Sequence, residues 1–93
     1  MRFEWHDAKA EANLRLHGVS FDLAKTAFRD THAIEWIDER EDYGEQRFVM
    51  LGMADGGLLL YLAYTEREEA IRIISARRVT QYEQDEYFRL NGK

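Results

Sequence analysis

The spacing of apolar and polar residues changes from a period of two to a helical period within the first thirty residues. Residues 2–5 alternate between apolar and charged side chains, which predicts a short strand. Residues 8–17 are rich in Ala, Leu, Lys and Glu, and they predict a helix that Asp7 caps and Gly18 ends. A second helix should begin at Ser20, because the residues after it place apolar side chains at helical spacing.

The pattern becomes extended after the second helix. Four runs of alternating or continuous apolar residues predict strands at 33–37, 48–54, 58–65 and 70–76. A charged loop at 38–44 follows the first of these strands, and Asp55-Gly56-Gly57 predicts a hairpin turn. Thr80 and Glu83 have the spacing of a capping box at the start of a last helix. The sequence predicts an α+β fold with one strand, two helices, an antiparallel meander of about four strands and a C-terminal helix.

Composition limits the class of protein. The 93 residues are enough for one domain, residues 1–93, and we find no repeat and no proline-rich linker. A hydrophobic content of 45% interrupted by charge favours a globular chain without a membrane span. We expect a cytoplasmic protein, because the sequence starts without an export leader and contains no cysteine.

Net charge argues against a protein that binds nucleic acid over its whole surface. The formal net charge is −5, whereas phosphate binding usually needs a basic face. The charges are unevenly placed, however: residues 38–45 are mostly acidic, and Arg67, Arg72, Arg77 and Arg78 crowd one late segment. A local basic site is therefore compatible with an acidic chain.

The first predicted helix carries two candidates for proton transfer. His17 lies at its C-terminal end, where the helix dipole favours a charged imidazole that could act as a general acid. The alternative is that His17 only caps free carbonyls. Lys9 lies eight residues earlier, about 80° around the helix, and could share a broad face with it. A solvated surface lysine is the alternative for Lys9.

Strand residues supply a second set of candidates. Glu45 and Arg47 are two residues apart, so alternation places them on one side, either flanking a substrate or forming a surface ion pair. Arg72 interrupts an apolar strand between two isoleucines, where a charge needs solvent or a partner. It lies either in a phosphate site or on the wet face of a half-buried sheet.

Several stretches of the chain closely resemble successive blocks of the BrnT family of toxins. They are Phe3-Glu4-Trp5, residues 9–13, His17-Gly18-Val19-Ser20-Phe21, Glu45-Gln46-Arg47, Tyr64-Thr65, and Arg67 followed by Ile71-Arg72-Ile73-Ile74-Ser75-Ala76-Arg77. The resemblance implies a compact RelE-like fold, ribonuclease activity and a cognate antitoxin that carries its own DNA-binding domain. It also implies a 2:2 complex of toxin and antitoxin. Because the antitoxin carries the DNA-binding domain, the toxin would bind DNA only through it. Two positions depart from the family pattern, His6 after Trp and Leu16 before His-Gly.

The resemblance adds candidates that the residues alone do not single out. Arg67 lies among glutamates, and without the resemblance its surroundings predict a solvent-exposed, charged loop tip. Arg77 is favoured over Arg78, because adjacent strand residues point apart and the match includes Arg77. Trp5 and Tyr64 could stack on unpaired bases, with core packing as the alternative use of such rings.

These observations predict a metal-independent endoribonuclease that needs no cofactor. Its catalytic residues would come from Lys9, His17, Glu45, Arg47, Arg72 and Arg77, with Arg67, Tyr64 and Trp5 binding the substrate. Scattered histidines give no zinc-binding spacing, and no phosphate loop is present. Two alternatives stay open: a non-catalytic module that binds an antitoxin and acts as a co-repressor, and a toxin of the same fold that acts on DNA gyrase.

Overall fold

The computed structural model describes residues 1–92, which form a five-stranded sheet with helices on both faces. The elements are β1 (Arg2–Glu4), α1 (Asp7–His17), α2 (Phe21–Ala24) with a following 3₁₀ helix (Lys25–Arg29), β2 (Ile34–Asp38), β3 (Arg47–Ala54), β4 (Leu58–Arg67), β5 (Ala70–Arg78) and α3 (Gln81–Leu90). In residues 1–92 no helix is long and apolar enough to cross a membrane.

The strands lie in the order β1-β5-β4-β3-β2. Strands β2 to β5 form an antiparallel meander, which confirms the predicted α+β layout. Strand β1 pairs with β5 in parallel, at the edge opposite β2. The two N-terminal helices therefore carry the chain from one edge of the sheet to the other.

The larger core lies between the first face of the sheet and the N-terminal helices. Phe21, Ala24 and Ala27 are buried against strand residues such as Leu62, as their helical spacing predicts. The 3₁₀ helix approaches β3 closely, because a Cβ atom added at Gly52 would lie 3.1 Å from the Ala27 carbonyl oxygen. A larger residue at this position would press against the backbone of Ala27.

A buried asparagine closes the part of the β5 edge that β1 leaves unpaired. Asn13 of α1 is 5% exposed, and its side-chain amide donates to the carbonyl oxygens of Val19 and Ala76 at 2.9 and 2.8 Å. Its oxygen accepts from the Ala76 N–H at 3.1 Å. The side chain thus continues the strand ladder where the three-residue β1 has ended, and it fixes α1 beside the sheet.

The residues predicted to cap or end the helices are confirmed, except at the start of α1. Gly18 has a φ of 69° and ends α1, and the side chain of Ser20 caps α2 as predicted. The prediction that Asp7 caps α1 was wrong: His6 occupies the N-cap position without a side-chain bond, and Asp7 lies in the first turn. Thr80 and Glu83 do form the predicted capping box of α3.

The second face of the sheet is covered at one end only. Helix α3 packs there through Tyr87, against Leu51 and Leu59. The Tyr87 hydroxyl donates to Asp30 Oδ2 at 2.6 Å, which ties α3 to the segment after the 3₁₀ helix. The other end of this face carries polar and charged residues, and helix α3 leaves it uncovered.

The bond between Tyr87 and Asp30 makes stability depend on pH. Burial alone would raise the pKa of Asp30, but the Tyr87 hydroxyl and the N–H groups of Met53 and His32 lower it overall. Burial, together with the hydrogen bond to Asp30, raises the pKa of Tyr87 to about 12. A carboxyl group whose pKa is lowered on folding stabilises the protein above its unfolded pKa and loses this effect as the pH falls.

We predict that Tyr87→Phe lowers the free energy of unfolding by roughly 2 kcal/mol at neutral pH, because it removes a hydrogen bond to a charged group. The deficit should shrink below the unfolded Asp30 pKa of 3.8, as the folded carboxylate becomes protonated. Urea unfolding at several pH values measures this. Tyr82→Phe, at a residue that is 73% exposed, is the matched control. An equal deficit at every pH would contradict the assignment.

Candidate functional site

The strand register aligns a row of polar residues across the open end of the second face. Glu4 pairs with Arg72, Arg72 with Thr65, Thr65 with Arg47, and Arg47 with Asp38. Directly opposed residues in neighbouring strands point to the same side of a sheet. We call these five residues the cross-strand row, and each of the five strands contributes one of them.

A cleft of about 190 Å³ opens above this row. Three residues of the row, Arg47, Thr65 and Arg72, line it. The rest of its lining comes from the start of α1, the residue Glu45 before β3, and strands β4 and β5: His6, Lys9, Glu45, Arg67, Ile73 and Ile74. The structure thus brings together five of the residues selected from the sequence. Those five come from distant parts of the chain, and four of them are basic.

Two arginines of the cleft are held by carboxylates. Arg72 donates to Glu4 at 2.8 Å across the pair β5–β1. Arg67 makes two bonds to Glu45, at 3.2 and 3.0 Å. The hydrogen bonds from Arg67 lower the pKa of Glu45, so that its carboxylate stays ionised. These pairs fix the direction of each side chain, and the bidentate pair has the stronger geometry.

Arg47 differs from its neighbours in the cleft. Within residues 1–92 it forms no ion pair, and its guanidinium lies over the ring of Tyr43 at 3.9 Å from the centroid. The ring belongs to the loop between β2 and β3, which is held down because the Tyr43 hydroxyl donates to Asp38 at 3.2 Å. A half-buried arginine that makes no ion pair is available for an anion from outside.

Two polar atoms in this region are buried without a hydrogen-bond partner in the described chain. They are Arg47 Nε and Thr65 Oγ1, which belong to opposed residues of the cross-strand row. A buried polar atom without a hydrogen-bond partner lowers the free energy of unfolding, unless a ligand or water molecule forms the missing bond.

Arg77 lies on the same face but outside the cleft. Its guanidinium sits over the Tyr61 ring at 4.0 Å and makes two bonds to Glu83, both at 2.9 Å. The hydrogen bond to Glu83 raises the pKa of Arg77. Arg77 pairs with Tyr61, four residues along β4 from Thr65, so it lies about 13 Å from the cross-strand row.

Other residues selected from the sequence do not line the cleft. His17 is exposed at the far end of α1, about 12 Å along the helix axis from Lys9. Trp5 is half-buried and packs edge-on against Phe21. Tyr64, the other ring expected to stack on a base, is 1% exposed and packs in the core.

Sequence reasoning missed three residues around the cleft. The sequence assigns Thr65 no role beyond its place in a block that matches the family, and His6 differs from the family pattern. His6 precedes Lys9 by three residues, the spacing of neighbours on a helix surface, which was the available signal. Tyr43 gave no signal, because its position depends on the fold of a charged loop.

The fold is shared with a solved bacterial toxin. The crystal structure of the Brucella abortus ribonuclease toxin BrnT matches with a TM-score of 0.68 and 20% sequence identity, over 87% of this chain and 99% of that one. The family model described as "Ribonuclease toxin, BrnT, of type II toxin-antitoxin system" matches residues 5–83. The chain therefore belongs to the BrnT family of ribonuclease toxins. No curated protein matches the sequence.

Proposed function

We propose that this chain is a toxin that cleaves RNA at the cleft above the cross-strand row, and that it thereby inhibits translation and growth. The observation that carries the proposal is the gathering of Lys9, Arg47, Arg67 and Arg72 in one cleft, in a chain of the BrnT family. Family membership supplies the substrate class, and the geometry supplies the groups that would hold a phosphate.

Local charge explains how an acidic chain can bind RNA. Of the four basic residues in the cleft, two are balanced by Glu4 and Glu45, and Lys9 and Arg47 make no ion pair within the described residues. The site therefore keeps a positive excess although the formal net charge of the chain is −5. A localised positive cleft attracts one phosphodiester without binding nucleic acid everywhere.

The cleft contains the groups that metal-free RNA cleavage needs. The Glu45 carboxylate would accept the proton of the 2′-hydroxyl, whose oxygen then attacks the neighbouring phosphorus. Arg47 and Arg72 would stabilise the negative charge of the phosphorane. Lys9 or His6 would give a proton to the departing 5′-oxygen, leaving a 2′,3′-cyclic phosphate and a 5′-hydroxyl. His17 lies too far along α1 to reach the same phosphate.

Arg77 fits a supporting role. With its ring partner Tyr61 it extends the basic surface away from the cleft, toward α3. We propose that Arg77 binds a neighbouring phosphate of the same RNA strand. Replacing it should then weaken substrate binding more than it slows the chemical step.

We predict that Arg47→Gln and Arg72→Gln each reduce RNA cleavage by about 10²-fold, because each removes a cation from the developing charge. Induced in cells, both variants should permit growth that the wild-type chain arrests. Arg29→Gln is the control, since Arg29 forms an exposed ion pair with Asp55 that lies outside the cleft.

The same experiment separates the alternatives. A co-repressor without catalytic activity would leave purified RNA intact and would not arrest growth. A toxin that acts on DNA gyrase would arrest growth with intact RNA and altered plasmid supercoiling. Full cleavage by folded Arg47→Gln protein would refute the proposed site.

We predict that cleavage needs no divalent metal, because side chains already supply the positive charge in the cleft. EDTA should leave the rate on a short, unstructured RNA unchanged. A rate that falls with EDTA and returns with magnesium or manganese would overturn the mechanism, and a chelator already saturated with magnesium controls for effects of the chelator itself.

We also predict that the cognate antitoxin inhibits the toxin by covering this cleft. The two would form a 2:2 complex that binds DNA only through the antitoxin. Carboxylates of the partner would replace RNA phosphates on Arg47 and Arg72, so affinity should fall with added salt. Calorimetric titration of wild-type, Arg47→Gln and Lys25→Ala proteins tests this, with Lys25→Ala as the distant control.

Unchanged affinity in Arg47→Gln at every salt concentration would place the antitoxin elsewhere. The apolar surface between β2 and α3 is then the next candidate, because Trp36, Tyr82 and Leu90 are exposed there beside the free edge of the sheet.

A further inference from the structure

Three buried polar side-chain atoms in residues 1–92 have no hydrogen-bond partner: Arg47 Nε, Tyr64 Oη and Thr65 Oγ1. Tyr64 lies in the core cluster on the first face of the sheet. The other two lie together at the base of the cleft, because Arg47 and Thr65 are directly opposed across β3 and β4. Two unpaired donors side by side form a place where one acceptor would satisfy both.

We propose that Thr65 Oγ1 and Arg47 Nε form a cradle for a non-bridging oxygen of the scissile phosphate. This inference rests on the proposed function and adds a residue, Thr65, to its chemistry. A threonine hydroxyl and a guanidinium N–H both donate to a phosphate oxygen, and neither has to gain or lose a proton when it does so. Their bonds would strengthen as negative charge grows on that oxygen.

The surroundings of Thr65 favour an anion as the missing acceptor. Thr65 is 1% exposed and stands between Arg47 and Arg72 in the cross-strand row. A carboxylate of the protein would be the usual partner in such a place, but the two acids nearest along the cleft are already bound, Glu4 by Arg72 and Glu45 by Arg67. The hydroxyl is thus left with basic neighbours.

Access to the cradle requires a small movement of side chains. Because Thr65 Oγ1 and Arg47 Nε have almost no exposed surface, a phosphate reaches them only when the Arg47 side chain shifts. The Arg47 guanidinium lies over the Tyr43 ring and makes no ion pair in the described chain. A phosphate can therefore displace this guanidinium without breaking a salt bridge. The pairs of Arg67 and Arg72 can meanwhile stay in place.

The test compares two threonines that differ in their bonding. Thr65→Val keeps the shape of the side chain and removes a hydroxyl that makes no hydrogen bond within residues 1–92. It should unfold at the same or a higher temperature, yet lower the single-turnover cleavage rate by about 10²-fold. Thr65→Ser restores the hydroxyl and should recover most of the rate.

Thr26→Val is the matched control with the opposite pattern. The Thr26 hydroxyl donates to the Leu23 carbonyl at 2.7 Å and accepts from the Asp55 N–H at 2.9 Å, away from the cleft. Its removal should lower the unfolding temperature and leave cleavage unchanged. A buried hydroxyl with only a structural role, or one satisfied by a water molecule alone, would give Thr65→Val the cleavage rate of the wild type, and this result would overturn the cradle.

A binding measurement separates this inference from the proposed function. A short RNA in which the reacting 2′-hydroxyls are replaced by hydrogen cannot be cleaved but keeps its phosphates. If wild-type protein failed to cleave any RNA, the proposed function would fall; weaker binding of this oligonucleotide by Thr65→Val would still support the cradle. If neither protein cleaved RNA, equal binding of this oligonucleotide by the wild type and by Thr65→Val would refute the cradle.

Discussion

Register across the sheet is the constraint on which the candidate site depends. The five residues of the cross-strand row come from positions between 4 and 72 of the chain, and they meet only because each strand pairs at one particular offset. A slip of one residue in β4 would turn Thr65 into the core and bring Tyr64 to the cleft. The packing of Tyr64 against Phe28 and Phe48 opposes such a slip. The core on the first face thus keeps the cross-strand row aligned on the second face.

Paired charges let an acidic chain maintain a basic site. On the open face Arg72, Arg67, Arg40 and Arg77 each bind one carboxylate, which fixes their direction and limits the repulsion among them. The exposed pair of Arg67 and Glu45 contributes little to stability, so its main effect is on geometry. Among the arginines and the lysine that line the cleft, Arg47 and Lys9 make no ion pair within residues 1–92, and they lie where a phosphate would enter. Glu4 and Glu45 contribute to the negative charge of the chain, and they also fix the direction of two arginines of the cleft, Arg72 and Arg67.

Local signals in the sequence predicted the elements well, and the cleft less completely. Gly18, Ser20 and the pair Thr80 and Glu83 act within one turn of the chain, so their caps could be predicted without knowledge of the fold. The position of Thr65 in the cleft depends on how β4 pairs with β3 and β5, which no local pattern encodes. The face of the sheet on which Tyr64 lies could not be predicted for the same reason. An aromatic residue in a strand has the same sequence pattern whether it faces the core or a substrate.

The position of Arg77 depends on an irregularity that a strand pattern cannot predict. Arg72 and Arg77 are five residues apart, and regular alternation would place them on opposite faces of the sheet. The register shifts between Ala63 and Tyr64, where β5 carries one extra residue, so Arg72 opposes Thr65 while Arg77 opposes Tyr61. Thr65 and Tyr61 are four residues apart on one face, and the bulge therefore brings both arginines to the same side. Bulges commonly redirect side chains near functional sites, and here one extends the basic surface beyond a single cleft.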